Sequence, residues 1–224
     1  SSFQFEFSEE MLRNAILVLL LSFAIHLFSM LVAGFLYLRY PERTRSVLKY
    51  LTVFSNCGFM GFPVLESVFG SIGVFYGALY VIPFNILTLS YGVMVFTGKS
   101  DKDTLKKILI HPVMISVAIG MILFLLQIPL PGAVSKAVSM VGSMTTPLSM
   151  LIVGALLAEV PFREMLRGAE VYYGSAVRLI ALPLLIYVIL SLLRLPEDVL
   201  HVCVILTAMP AAANTAIFSG KYGG

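Results

Sequence analysis

An apolar stretch of membrane-crossing length is interrupted at residues 55–63, which read SNCGFMGFP. Pro63 lacks an N–H group and clashes with the carbonyl four residues earlier, so a helix is expected to break ahead of it. Gly58 and Gly61 carry no side chains that would oppose an extended backbone or a close crossing. Hydrocarbon offers no partner for the freed backbone groups, so such a break survives only when it is buried in protein or lines a wet cavity. The sequence therefore predicts a membrane protein in which this interruption lies inside the protein and serves its function.

A second interruption lies near the end of the chain, at residues 209–215, which read MPAAANT. Paired broken helices in the two halves of a chain are the best sequence-level indication of a transporter's binding site. Asn56 and Asn214 each offer amide donors and a carbonyl acceptor. Half-helix N-termini and free amides that converge would hold a carboxylate without a cationic side chain. The alternative is two proline kinks repaired by neighbouring helices, with the glycines serving close packing.

The composition indicates an all-α polytopic membrane protein. Hydrophobic residues make up 59% of the 224 positions, charged residues 12%, and the mean hydropathy is +0.97. A soluble domain has nearer half apolar and a quarter charged residues. The net charge of +3 is small and lies in loops, so no nucleic-acid partner is expected.

Metal, cofactor and catalytic motifs are missing from the sequence. Cys57 and Cys203 both fall in apolar spans, so they predict neither a disulfide nor a metal site. The sequence contains no zinc motif, glycine-rich phosphate loop or convincing nucleophile–base pair. We therefore expect no enzyme activity, no catalytic residue and no cofactor.

Seven hydrophobic spans can be drawn, each near the roughly 20 residues that cross a bilayer. They cover about 11–38, 47–70, 73–97, 109–128, 133–158, 171–193 and 198–220. Basic residues cluster in the loops after the first, third and fifth spans, which the positive-inside rule places in the cytoplasm. We therefore expect a multi-pass protein of the cell membrane (plasma or bacterial inner membrane), with the N-terminus of this chain outside.

This orientation makes the two interrupted spans run in opposite directions, as an inverted-topology repeat requires. We divide the chain into a first, incomplete repeat of three spans (1–97), a cytoplasmic linker (98–108) and a second, incomplete repeat of four spans (109–224). A symmetric arrangement would need further spans at the front of the chain.

Two more polar or helix-breaking positions inside spans are candidates for the substrate site. Asn85 lies two residues beyond Pro83 and is expected to line the cavity. Pro147 follows two threonines whose hydroxyls would cap a half-helix or bond back to the helix; a simple kink is the alternative. With Asn56, Gly58, Pro63, Pro210 and Asn214, these residues form the predicted substrate-binding set.

Three ionisable residues within spans are candidates for ion or proton coupling. Glu66 is either a proton-coupling carboxylate or an exposed acid at a helix end. His26 is either a titrating group or a hydrogen-bonded buried histidine. Arg178 either attracts an organic anion or snorkels to the interface, and the sequence favours snorkelling.

The chain resembles the auxin efflux carrier family, which includes the plant PIN carriers and many bacterial membrane transport proteins. The resemblance is carried by residues 56–63 with 69–70, 83–85, 147–155 and 208–214, and by Arg178-Leu179 and Pro183-Leu184. It implies a ten-helix bundle of two inverted five-helix repeats, in which the fourth and ninth helices cross as broken segments. The second and seventh spans correspond to these two helices, and the first two helices and the last one are expected to be missing here.

The resemblance also implies a dimer that moves organic anions such as auxin or dicarboxylates. We therefore predict a secondary-type carrier that exports or exchanges a small organic anion, with Asn56, Pro63, Pro210 and Asn214 at its site. One alternative is a sodium-coupled bile-acid-type symporter with a related crossover. Another is a non-transporting membrane sensor or scaffold that is a remnant of a carrier.

Overall fold

The computed structural model of the chain describes residues 8–98, 110, 112–126, 128, 130–158, 168–215 and 219. Apart from one isolated pair of bridged residues, the described chain has helices as its only regular structure. The α-helices are α1 (Glu9–Leu36), α2 (Glu42–Val53), α3 (Gly61–Leu87), α4 (Val93–Thr97), α5 (Pro112–Leu125), α6 (Gly132–Ser143), α7 (Thr145–Ala158), α8 (Ala169–Ala176), α9 (Leu182–Leu192) and α10 (Glu197–Ala208). One π-helical turn, Thr88–Gly92, joins α3 to α4, and a second, Val177–Ala181, joins α8 to α9.

Three helical stretches of the described chain are long and apolar enough, by length and composition, to cross a membrane. They are Glu9–Leu36, Gly61–Thr97 and Ala169–Leu192. These stretches confirm the prediction of an all-helical, membrane-embedded chain. The other predicted spans fall on shorter helices, so the count of seven stays a prediction.

Gly70 divides the longest of these stretches. Its backbone has φ 61° and ψ −149°, a non-helical conformation inside α3. Glycine adopts positive φ without the steric cost that a β-carbon brings. The bend falls at the junction that the hydropathy pattern predicts between the second and third spans.

Helix α1 buries several small and polar residues and exposes many of its large apolar ones. Ser22 and Ala33 are completely buried, whereas Leu20 and Leu31 are more than half exposed. The Ser22 hydroxyl donates a hydrogen bond to the Tyr80 carbonyl of α3 at 2.7 Å. This arrangement is the reverse of a soluble helix and is typical of a helix that faces lipid, where small residues mediate helix packing.

Candidate functional site

Two non-helical segments of the chain lie side by side. The first unwound segment (residues 54–60) joins α2 to α3, and the second (residues 209–213) follows α10. Asn56 N–H donates to the Pro210 carbonyl at 2.7 Å, and Ala212 N–H donates to the Phe54 carbonyl at 3.0 Å. The two segments therefore cross as an antiparallel pair, and each supplies a partner for backbone groups that the other leaves free.

Proline chemistry explains why α10 ends at this crossing. Met209, which follows the last helical residue, has an extended backbone with φ −60° and ψ 148°. The ring of Pro210 pushes the preceding residue out of the helical region. Pro210 also has no N–H to continue the helix, while its carbonyl remains available to accept from Asn56.

Glycine chemistry explains why the two segments approach so closely. A β-carbon on Gly61, the first residue of α3, would lie 2.5 Å from Cδ2 of Leu206 in α10. Nothing lies within 4 Å of the corresponding position on Gly58. The close crossing that the sequence associates with both glycines therefore depends on Gly61.

Pro63 lies in the first turn of α3, two residues after the helix begins. A proline is tolerated there because the first N–H groups of a helix have no intrahelical partner. The carbonyl of Asn56 accepts from the N–H groups of Met60 and Gly61, at 3.3 and 3.1 Å. Pro63 therefore lies just inside the start of α3, and the unwound residues precede the helix.

The amide side chains of Asn56 and Asn214 lie close along the chain to Ser55 and Ala211, the two bridged residues of the crossing. Asn56 is 6% exposed, and Asn214 is half-buried two residues after Ala212. Within the described residues, neither side-chain amide takes part in a hydrogen bond. An amide side chain can both donate to and accept from a polar ligand, so both residues are candidates for such a contact.

Arg178 lies at the crossing and is 2% exposed. Its Nε donates to the Met209 carbonyl at 3.2 Å, its Nη1 to the Thr52 carbonyl at 2.8 Å, and its Nη2 to the Thr207 carbonyl. The snorkelling interpretation is therefore wrong, because the guanidinium is held inside the protein. The signal in the sequence is the pair of interrupted helices. Their last carbonyls lack N–H partners, so a buried donor such as an arginine is needed beside them.

The Thr52 carbonyl illustrates how this network closes. In a continuous helix it would accept from the N–H of Asn56, four residues later. Asn56 N–H instead bonds to Pro210, which leaves the Thr52 carbonyl for Arg178. The same change in backbone hydrogen bonding therefore ends α2 and provides an acceptor for the guanidinium.

The other predicted site residues lie in different surroundings. The Asn85 amide donates to the Val81 carbonyl of its own helix at 2.9 Å. Pro147 is exposed in the first turn of α7, and Glu66 is exposed on α3. The roles predicted for these three residues stay predictions.

His26 is a buried and hydrogen-bonded histidine. Its Nδ1 lies 2.7 Å from the Ser22 carbonyl, one turn earlier in α1. Its ring packs against Tyr80, Phe84 and Phe54, with centroid distances of 5.4, 6.0 and 6.2 Å. Phe54 belongs to the first unwound segment, so the His26 ring packs against one residue of the crossing. The coupling role of His26 stays a prediction.

A cavity of about 280 Å³ reaches the crossing from between α2 and α8. It is lined by Thr44, Val47, Leu48, Leu51, Glu170, Val171, Ser175, Arg178, Leu179, Pro210 and Ala211. Mostly apolar walls with a few polar groups are typical of sites for small organic ligands. The cavity connects the second unwound segment and Arg178 to the outside of the chain.

Comparisons with known proteins assign the chain to a family. The family described as "Membrane transport protein" matches residues 1–105 and 96–224. The protein named "Uncharacterized transporter YfdV" of Escherichia coli K12 is 23% identical over 176 residues, which cover 74% of this chain and 55% of the relative. Its counterparts in Escherichia coli O157:H7 and Shigella flexneri match to the same extent. This chain therefore spans about half the length of these relatives, and no solved structure matches it significantly.

Proposed function

The chain belongs to the membrane transport protein family, and from this premise we propose that it acts as a secondary-type carrier of a small organic anion. The membership confirms the predicted family and supports a membrane transporter. Auxin-like acids and dicarboxylates are the substrate class proposed. The observation that carries the proposal is the antiparallel pairing of Ser55 with Ala211, which joins the two unwound segments.

The chemistry of the crossing favours an anion. The amides of Asn56 and Asn214 provide donors, and the N-terminus of α3 provides the positive end of a helix dipole. Arg178 occupies the negative C-terminal ends of α2 and α10. Within the described chain, Arg178 forms no ion pair with a carboxylate.

Transport by this arrangement would proceed by alternating access around the crossing. We propose seven spans that form part of a ten-helix inverted-repeat bundle, in which the repeats rock around the two unwound segments. The cavity beside Arg178 would serve as the route from one side of the membrane. A dimer in the cell membrane, with the chain's N-terminus outside, completes the proposal.

The test is ligand-induced thermal stabilisation of the protein expressed from its complete natural gene, across a panel of mono- and dicarboxylic acids. Binding raises the stability by RT ln(1 + [L]/Kd). We expect stabilisation by at least one acid and its loss in Asn56→Leu and in Asn214→Leu. The matched control is Asn14→Leu, which removes a buried amide of α1 and should leave the ligand-induced shift unchanged.

Two outcomes would replace this proposal with an alternative. Stabilisation that requires sodium would favour the bile-acid-type symporter. The absence of any shift, with a cooperative melt, would favour the non-transporting sensor or scaffold. A shift that persists in both asparagine variants would place the anion away from the crossing.

A further inference from the structure

We infer that Arg178 is a built-in cation that takes the place of a coupling ion, so that anion binding at the crossing needs no sodium. This inference rests on the proposed function and specifies the ion requirement of the same site. It concerns the positive charge at the crossing and not the amides that would contact the substrate.

The oxygen atoms around the guanidinium are the kind that transporters offer to a monovalent cation. Carbonyls from unwound backbone and from half-helix C-termini coordinate sodium in crossing-helix carriers. Here three such carbonyls, of Thr52, Thr207 and Met209, point at one guanidinium. They come from both interrupted helices, so the group that they hold also ties the two helices together.

The charges balance without a second ion. The C-terminus of a helix carries roughly half a negative elementary charge. Since Thr52 lies at the end of α2 and Thr207 at the end of α10, the two termini together offset about one positive charge. Arg178 supplies that charge, and within the described residues no carboxylate forms an ion pair with it.

The surroundings hold in place two of the three residues whose carbonyls contact the guanidinium. The Thr207 hydroxyl donates to the Cys203 carbonyl at 2.7 Å and lies 3.2 Å from the Tyr80 hydroxyl. Thr52 bonds through its hydroxyl to the Tyr37 hydroxyl at 2.7 Å. All four of these partner side chains are buried, so removal of the guanidinium would leave a preformed set of oxygen atoms.

The test compares the native protein with Arg178→Ala in sodium, in choline and in choline with a low concentration of guanidinium chloride. The readout is the thermal shift produced by the acid that stabilises the native protein. We expect equal shifts in sodium and choline for the native protein. For Arg178→Ala we expect no shift in choline and a shift restored by sodium or guanidinium, because a free cation enters the vacated place.

The matched control is Arg13→Ala, which removes an exposed arginine that pairs with Glu10 at 3.9 Å and should behave as the native protein does. Three results would overturn the inference. These are a sodium requirement in the native protein, full binding by Arg178→Ala in choline, and a folded Arg178→Ala that neither cation restores.

Arg178→Lys carries the test if Arg178→Ala lacks a cooperative melt. Lysine keeps the positive charge as a compact ammonium group, so its binding should stay independent of sodium, and a new sodium requirement would contradict the inference. Failure of the proposed function is distinguishable, because the native protein would then show no shift with any acid before the variants are compared.

Discussion

Gly61 and Leu206 are in contact where α3 begins beside α10, and a β-carbon on Gly61 would lie 2.5 Å from Leu206 Cδ2. Leu206 is completely buried, so its side chain has little room to withdraw. Gly58, three residues earlier, has open space at the same position. The two glycines of the motif therefore differ in what they contribute to the crossing.

This contact predicts that Gly61→Ala lowers the melting temperature of the purified protein, whereas Gly58→Ala changes it little. Overpacking a well-filled interior typically costs about 1–3 kcal/mol. Leu206→Ala is itself destabilising because it leaves a cavity, but the loss in the double variant Gly61→Ala/Leu206→Ala should be smaller than the sum of the two single losses, because the shortened leucine makes room for the new methyl group. Equal destabilisation by the two alanines would show that backbone conformation, and not the Leu206 contact, selects glycine here.

Pro210 provides a second prediction, which concerns the end of α10. Pro210→Ala restores an N–H group and frees Met209 to adopt helical angles, so α10 is expected to extend into the crossing. We expect the protein to melt cooperatively but to lose acid-induced stabilisation. The measurement is the same thermal-shift titration that is used for the asparagine variants.

The control for this change is Pro83→Ala, at a buried proline inside α3. It also restores an N–H group to a helix, but at a position inside α3 and not at a helix end beside an unwound segment. Its acid-induced shift should stay close to that of the native protein. Loss of binding in both variants would mean that helix geometry in general, and not the crossing, controls the site.

The positions of the two unwound segments could be predicted from sequence because proline and glycine act on their immediate neighbours. The extended Met209 before Pro210 is an effect of this local kind. The partners of the freed backbone groups depend on tertiary structure. The two segments lie in spans that run in opposite directions, which suggested that the segments meet. Neither segment alone predicts that Asn56 N–H bonds to the Pro210 carbonyl.

Arg178 shows where sequence reasoning failed at the site. Its distance from the end of its span suggested that the side chain reaches the interface, which is a reasonable expectation for an arginine on a lipid-facing helix. The helix face that carries it packs against the ends of α2 and α10, where three carbonyls need donors. The sequence shows how far along its span Arg178 lies, but it does not show which helix ends the residue faces.

Asn85 shows the same limit in milder form. Its place inside an apolar span beside a proline marked it as a polar residue with a function. Its amide instead donates to the Val81 carbonyl, one turn earlier in the same helix. Short polar side chains often make such local bonds, and the sequence alone does not distinguish this use from ligand binding.

The distribution of residues on α1 gives a last prediction, which tests whether its exposed face contacts lipid. Leu20 is 61% exposed near the middle of the helix, and Ser22 is completely buried against α3. An arginine at the centre of a membrane-spanning helix costs about 2.5–3.5 kcal/mol for insertion. We therefore expect Leu20→Arg to reduce the amount of protein recovered in alkali-extracted membranes, while Leu20→Ile leaves it unchanged. Ser22→Leu should insert normally but melt at a lower temperature, because it loses the bond to the Tyr80 carbonyl and overfills the α1–α3 contact. Normal membrane recovery of Leu20→Arg would mean that this face of α1 does not lie against the hydrocarbon.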